Sequence, residues 1–127
     1  MKVPISVLLL VAALFAAGCY YDSTEELYPV TTYIPCDTTA VTYSGTISLI
    51  ITGSCSKCHG TSTANANGGN INLEGYSNLK RYASNGRLIG SVTHAPGFTP
   101  MPREANSLTA CEIAQIKHWI NAGMENN

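Results

Sequence analysis

Five cysteines within 127 residues restrict the structures open to this chain more than any other feature of the sequence. They are Cys19, Cys36, Cys55, Cys58 and Cys111. An odd number of thiols cannot all pair within one chain, so at least one has another use. The length allows one small domain, and such domains often need disulfides, a metal or a bound cofactor to remain folded. The cysteines therefore indicate both how this domain is held together and what it does.

The first eighteen residues have the composition of an export signal. Lys2 supplies a cationic start, and residues 7–17 form an unbroken apolar run that ends in small residues before Cys19. A membrane-spanning helix needs about 20 apolar residues, so this run is too short to favour one. A signal peptide has this charged start, short apolar centre and small-residue cleavage site. The mature chain is therefore expected to work outside the cytoplasm, where disulfides persist.

The cleavage region Ala16-Ala17-Gly18-Cys19 resembles the lipobox of bacterial lipoproteins, although Ala16 stands where Leu is usual. The resemblance implies that residues 1–18 are removed and that Cys19 is diacylated as the mature N-terminus. The alternative is an ordinary signal peptide followed by a coincidental cysteine. We expect a membrane-anchored lipoprotein on the periplasmic side or at the outer membrane.

Composition argues against several classes of function. Fourteen of the first eighteen residues are apolar, so the 45% apolar content of the whole chain overstates what the mature domain can bury. The net charge is −1 and no basic patch stands out, which argues against a nucleic-acid partner. No nucleophile–base pair, paired carboxylates or phosphate-binding loop is recognisable in the sequence, so the chain is not expected to be an enzyme.

The mature chain divides into a tether and one domain. Residues 19–42 are rich in Tyr, Thr and Pro and lack a helical period, which indicates an extended tether. Residues 43–127 form the domain, in which the Gly- and Asn-rich residues 60–75 predict a loop. The three prolines of residues 95–103 predict a second loop that is extended and stiff. Helices are expected at residues 44–52, 76–83, 87–92 and 110–122, although the β-branched residues of the first range also permit a strand.

The last of these helices has the clearest boundaries. Thr109 and Glu112 form a capping box, in which each side chain accepts a hydrogen bond from a free backbone N–H of the other residue. Isoleucines three and four residues apart follow on one face, and Gly123 stands where the helix should end. No strand pattern is strong anywhere in the chain, so the fold is expected to be all-α.

The sequence Cys55-Ser56-Lys57-Cys58-His59 is a C-x-x-C-H motif. Two thiols three positions apart can add to the two vinyl groups of a haem, and the adjacent histidine can bind the iron. The same chain carries an export signal, and c-type haem attachment takes place outside the cytoplasm. The motif therefore predicts one covalent haem c, held by Cys55 and Cys58, with His59 as an axial ligand.

Three other uses of the motif are open. A thioredoxin-like redox site would need a strand before it and a helix after it, which the sequence does not offer. A zinc site would need a fourth ligand from His94 or His118, and the adjacent Cys58 and His59 would strain to share one tetrahedral ion. A disulfide between Cys55 and Cys58 would close a small, strained ring. Haem is the interpretation that the spacing favours.

The arrangement resembles a class I cytochrome c over residues 43–123. In that family one helix precedes the motif, a C-terminal helix crosses it, and a loop between them brings a methionine to the other face of the iron. The resemblance implies a small all-α domain around the haem, with Met101 as the second axial ligand. It also implies one-electron transfer with redox proteins, which the sequence does not identify, while the lipid anchor would bind a membrane.

The sequence around Met101 suits a ligand loop. Pro100 and Pro102 limit the backbone freedom of this loop, so the thioether can be presented at low entropic cost. A methionine ligand would raise the reduction potential relative to bis-histidine ligation. Alternatively, Met101 fills a gap in a thin core. The other candidate ligands are His94, His118 and Met124, of which His94 is expected to support the same loop or lie on the surface, and His118 to face solvent on the last helix.

The family resemblance also bears on the remaining two cysteines. In a class I fold the first and last helices meet, which implies a disulfide between Cys36 and Cys111. Because the bond would close a loop of 75 residues, it would stabilise the fold by about 4 kcal/mol in the chain-entropy model. The alternative is two free buried thiols, which an oxidising compartment disfavours.

The sequence departs from the family just after the motif. A proline is usual there, and its carbonyl accepts a hydrogen bond from the axial histidine, whereas residues 60–62 here are Gly-Thr-Ser. The partner of the second ring nitrogen of His59 is therefore not identified by the sequence. Trp119 packs either near the haem or in an ordinary core, and Arg87 either pairs with a haem propionate or is solvated.

Two further functions are open at this point. If Met101 were not bound to the iron, the haem would have an open site, as in a haem enzyme or a gas sensor. The domain could also act without redox chemistry, as a structural module of a larger surface assembly.

Overall fold

The computed structural model of the chain describes residues 35–103 and 106–127. The predicted signal peptide, Cys19 and most of the predicted tether therefore lie outside the described residues. Within the described part, every regular element is a helix and no strand occurs, which confirms the all-α prediction. These helices belong to the compact unit Pro35–Asn127.

In the described residues, six α-helices follow a π-helical turn at Tyr43–Ile47. They are α1 (Ser48–Ser54), α2 (Ser56–His59), α3 (Ala64–Asn67), α4 (Tyr76–Ser84), α5 (Arg87–Val92) and α6 (Ala110–Asn121). None of these six has the length and apolar character that crossing a bilayer requires. The predicted second, third and fourth helices agree with α4, α5 and α6 to within one residue, and the predicted first helix is divided between the π-helical turn and α1.

Local signals in the sequence account for where these helices begin and end. Thr42 caps the π-helical turn, because its Oγ1 accepts a hydrogen bond from Gly45 N at 3.0 Å. Gly86 separates α4 from α5 with a left-handed φ of 77°, which glycine adopts without steric cost. The predicted capping box begins α6, since Glu112 N donates to Thr109 Oγ1 at 3.2 Å and Thr109 N donates to Glu112 Oε2 at 2.7 Å.

Two segments predicted as loops differ from the expectation. Residues 60–75 include α3, whose first residue, Ala64, is buried. Residues 95–103 are not extended, because Phe98 N donates to Ala95 O at 3.1 Å and the chain turns back towards α5. The prolines of this segment fix φ near −65°, and that angle suits a turn as well as an extended chain.

The helices share one apolar core in which the first and last helical segments meet. α6 packs against the π-helical turn and against α5. Trp119 of α6 is 1% exposed, its ring lies 6.0 Å from the ring of Tyr43, and its Nε1 donates to Glu125 O at 2.9 Å. The buried core side chains are Ile47, Ile50, Ile51, Ala64, Leu73, Leu79, Ala83, Leu88, Val92, Leu108, Ile116 and Trp119.

The segment before the π-helical turn is attached to α6. A disulfide joins Cys36 to Cys111, the pair that the family resemblance implies, with their Cα atoms 5.2 Å apart. Beside this bond, Gln115 Nε2 donates to Asp37 O at 3.0 Å. Residues 35–42, the end of the predicted tether, are therefore bound to the domain both covalently and by a hydrogen bond.

Candidate functional site

A cavity of about 710 Å³ lies beside α2 and reaches to α5 and to the loop that follows α5. This volume is in the range of about 300–1,000 Å³ that is typical of small-molecule and cofactor sites. Several helices and loops contribute the apolar side chains of its walls, and the cavity lies beside the apolar core. The large apolar side chains that line the cavity include Ile71, Leu73, Leu88, Val92, Phe98 and Leu108.

All three chemically distinctive residues of the C-x-x-C-H motif line this cavity. Cys55 ends α1 and precedes α2, and Cys58 follows three residues later, about one helical turn on. Residues at this spacing lie on the same side of a helix, so both thiols face one region. Cys55 is half-buried and Cys58 is exposed, and both are free thiols in this chain. The structure therefore brings a pair of thiols and an imidazole to the edge of one cavity.

The imidazole of His59 is held in one orientation by the main chain. Its Nδ1 lies 2.9 Å from the carbonyl oxygen of Ile71, and because a carbonyl can only accept, Nδ1 carries the proton. A second bond ties the same segments together, since Leu73 N donates to His59 O at 2.8 Å. In the neutral ring Nε2 then has a free lone pair, which is the arrangement of a metal-binding histidine.

Ile71 is the partner of His59 that the sequence did not identify. The accepting group is a backbone carbonyl, which every residue carries, so the side chain gives no signal for it. Gly68 is a second residue that the sequence did not single out. A Cβ at position 68 would clash with the Cys58 carbonyl and would lie 2.8 Å from His59 Nδ1, so only glycine leaves room for the ring.

Met101 lines the same cavity as the motif. Its backbone N–H donates to Ser91 O at 3.1 Å. This hydrogen bond ties residues 95–103, here called the methionine loop, to α5. The structure thus places the predicted second axial ligand and the predicted first axial ligand on one cavity, although they are 42 residues apart in the sequence.

The other candidate ligands do not line this cavity. His94 is exposed, and its Nε2 lies 3.1 Å from the Met101 carbonyl oxygen. His118 is an exposed residue of α6. Met124 packs against the apolar core, and its carbonyl accepts a hydrogen bond from Tyr76 Oη at 2.7 Å. Trp119 also belongs to that core and is not part of the cavity wall.

The charged side chains that line the cavity in the described part of the chain are all cationic. They are Lys57, Arg87 and Arg103, and no Asp or Glu of residues 35–103 and 106–127 joins them. The guanidinium of Arg87 lies over the ring of Tyr82, with 5.4 Å from Cζ to the ring centroid. An anionic group on a ligand in this cavity would therefore have positive partners at the edge.

The Cys55 thiol lies in surroundings that disfavour its ionised form. Burial raises its pKa to about 11, and the negative charge of Glu112 contributes in the same direction. Redox-active cysteines of the thioredoxin type have a lowered pKa, because the thiolate is the nucleophile. The environment of Cys55 does not favour a thiolate, and no strand precedes the motif within residues 35–103, so the structure lacks the α/β setting of a thioredoxin-like site.

Among residues 35–103 and 106–127, no group of three or more His, Cys, Asp and Glu side chains is placed to hold a metal ion by itself. His94 and His118, the residues that a zinc site would need to recruit, do not line the cavity that contains the two thiols. The thiols and the imidazole are therefore arranged around an open space, which is wide enough for a ligand larger than an ion.

Comparison with known proteins gives no relative from which a function could be carried over. No protein-family model, no curated protein and no solved structure matches the chain. The function is therefore inferred from the residues of the cavity and from their geometry.

Proposed function

We propose that this chain is a monohaem c-type cytochrome that transfers single electrons outside the cytoplasm. The observation that carries the proposal is that Cys55, Cys58, His59 and Met101 line one cavity of about 710 Å³. Two thiols, an imidazole and a thioether are the groups that attach a haem covalently and bind its iron axially. The motif spacing predicted the first three, the family resemblance implied the fourth, and all four line the cavity.

The walls of the cavity fit a haem in three respects. They are largely apolar, as a macrocycle with hydrophobic faces requires. The His59 ring is fixed by the Ile71 carbonyl with Nε2 free to bind iron. The cations at the edge, including Arg87, suit the two propionate groups of a haem, and a carboxylate paired with arginine gains charge-assisted hydrogen bonds.

A haem bound here would supply an iron that changes between the ferric and ferrous states by one electron. The protein residues would keep the site the same in both states. His59 is held by a hydrogen bond from Nδ1 to a backbone carbonyl, and the Met101 loop is tied to α5, so neither side chain needs to move when the charge changes. A thioether ligand also raises the reduction potential relative to bis-histidine ligation.

The location and partners in this proposal come from the sequence. Residues 1–18 would be removed, Cys19 would carry the lipid, and residues 19–42 would link the membrane to the haem domain. The electron donor and acceptor would be other redox proteins that reach the exposed edge of the cavity. The disulfide of Cys36 would fasten the end of the link to α6.

The axial ligand is tested by Met101→Leu, with Met124→Leu as the matched control. Leucine keeps the volume of methionine and removes the sulfur, and Met124 packs on the core without lining the cavity. We expect Met101→Leu to abolish the sulfur-to-iron charge-transfer band of the oxidised protein and to lower the reduction potential. Met124→Leu should leave both unchanged.

The same experiment separates the proposal from a haem with an open site. The reduced protein is exposed to carbon monoxide without denaturant, and we expect slow or no binding until Met101 is replaced. Rapid binding to the unmodified protein, with a charge-transfer band that is absent or insensitive to Met101→Leu, would contradict His59/Met101 ligation and favour an enzyme or a gas sensor.

A further inference from the structure

The main chain of Met101 is held from both sides by a closed set of hydrogen bonds. The carbonyl of Ser91 accepts from Met101 N at 3.1 Å and from His94 N at 3.2 Å. The carbonyl of Met101 in turn lies 3.1 Å from His94 Nε2. A carbonyl only accepts, so Nε2 carries the proton and His94 donates. Three residues thus form a ring of hydrogen bonds that includes both backbone groups of Met101.

His94 is held in this ring by an unusual backbone conformation. Its φ is 54°, in the left-handed region that residues other than glycine rarely adopt, and it lies just beyond the C-terminus of α5. The side chain is exposed and does not line the cavity, so it contributes neither to the apolar core nor to the cavity wall. Within the described residues, its ring makes a hydrogen bond to the Met101 carbonyl.

We propose that His94 is a positioning residue, which fixes the main chain of Met101 and thereby holds the thioether at the cavity. The inference rests on the proposed function, because it gives His94 a role in keeping Met101 on the iron. His94 itself does not touch the iron in this proposal; it acts on the ligand through the backbone.

The residues around Met101 explain why such a bond is needed. Pro100 and Pro102 have no backbone N–H, so Met101 supplies the single main-chain donor of residues 100–102. Methionine has three rotatable side-chain bonds and adapts to irregular space. The position of its sulfur therefore depends on how firmly its backbone is held. The bond to Ser91 fixes the N–H side of the residue, and the bond from His94 fixes the carbonyl side.

The test compares His94→Leu, which removes the donor, with His94→Gln, whose side-chain amide can donate from a similar distance. Both variants keep an unbranched Cβ at the same left-handed φ, so they share the same backbone cost. His118→Leu removes an exposed histidine elsewhere and is the control. The rate at which external imidazole displaces Met101 from the oxidised iron is measured for each protein.

We expect His94→Leu to raise this displacement rate by roughly two- to tenfold, the effect of losing one ordinary hydrogen bond. His94→Gln should restore most of the loss, and His118→Leu should match the parent protein. If His94→Leu and His94→Gln behave alike, or if neither differs from the parent protein, His94 does not position the ligand.

A second measurement can be made whether or not Met101 binds the iron. In the reduced protein, which is diamagnetic with Met101 bound and is made diamagnetic with carbon monoxide otherwise, nitrogen NMR should show the proton of the neutral His94 ring on Nε2. The Met101 amide should exchange with solvent faster in His94→Leu than in His94→Gln. If the parent protein lacks the charge-transfer band but both NMR results hold, the proposed function fails and the role of His94 in fixing the loop stands. A proton on Nδ1 would overturn the inference directly.

Discussion

The orientation of His59 illustrates how single residues determine what this cavity can bind. The ring is fixed because Nδ1 donates to Ile71 O at 2.9 Å, and it fits because position 68 has no side chain. Gly68 is buried and has an ordinary φ of −103°, so glycine is needed there for space and not for backbone freedom. The geometry of the site therefore depends on a backbone carbonyl and a glycine, neither of which provides a reactive side chain.

We predict that Gly68→Ala destabilises the protein by about 1–3 kcal/mol, the usual cost of an added methyl in a packed site. The new Cβ would press on the His59 ring and on the Cys58 carbonyl. Urea unfolding of the haem-loaded protein measures the loss, and the absorption spectrum reports the disturbed ligand.

Gly53→Ala is the matched control for this prediction. Gly53 lies in α1 with nothing within 4 Å of its would-be Cβ, so alanine should be neutral or stabilise the helix by about 0.5–1 kcal/mol. Equal stabilities and identical spectra for the two variants would show that the close approach of Gly68 to the ring is unimportant.

The sequence could predict the residues whose side chains would bind a ligand. The motif spacing indicated Cys55, Cys58 and His59, and all three line the cavity. The carbonyl that orients His59 could not be predicted, because any residue can supply a carbonyl and only the fold determines which one is near. The hydrogen bond from His94 to Met101 was missed for the same reason, although the sequence favoured His94 as a supporting or surface residue of the Met101 loop over His94 as a ligand.

At the scale of elements, helices with strong local signals were predicted well. The predicted capping box at the start of α6 is confirmed, and Gly86 between α4 and α5 is a short-range feature of the same kind. The helix α3 was missed, because residues 60–75 have the composition of a loop. Its formation depends on contacts made with α2, which no local pattern reveals.

The disulfide gives α6 a second role, because it fixes the segment before the π-helical turn to the last helix. We predict that the double variant Cys36→Ser, Cys111→Ser loses about 4 kcal/mol of unfolding free energy in the chain-entropy model for a 75-residue loop. Urea unfolding measures the change. The haem spectrum should stay the same, because neither residue lines the cavity.

Thiol counting in the untreated protein provides the control for this variant. If Cys55 and Cys58 carry haem as proposed, Cys36 and Cys111 of the parent protein should not react with an alkylating reagent until a reductant is added. Two reactive thiols at these positions without reductant, or an unchanged unfolding midpoint in the double variant, would rule out a stabilising bond.

The whole molecule consists of a small apolar core beside a large cavity. Twelve apolar residues are buried in the described part, and several of them, including Leu73, Leu88 and Val92, also line the cavity. A covalently attached haem stays with the unfolded chain as well, so a haem that fills such a space would stabilise the folded chain by burying apolar surface against these side chains. The sequence indicated a domain with few apolar residues to bury. The position of the cavity, however, depends on how α2, α5 and the methionine loop pack.

The most direct test of this proposal is whether haem is bound covalently through Cys55 and Cys58. The protein is produced with its own signal sequence in a bacterial host that matures c-type cytochromes, then denatured and extracted with acidified acetone. We predict that haem absorbance remains with the polypeptide, that the intact mass increases by one haem, and that the double variant Cys55→Ser, Cys58→Ser loses both. A colourless chain with two free thiols at these positions, from a host in which a control cytochrome matures normally, would contradict the proposal.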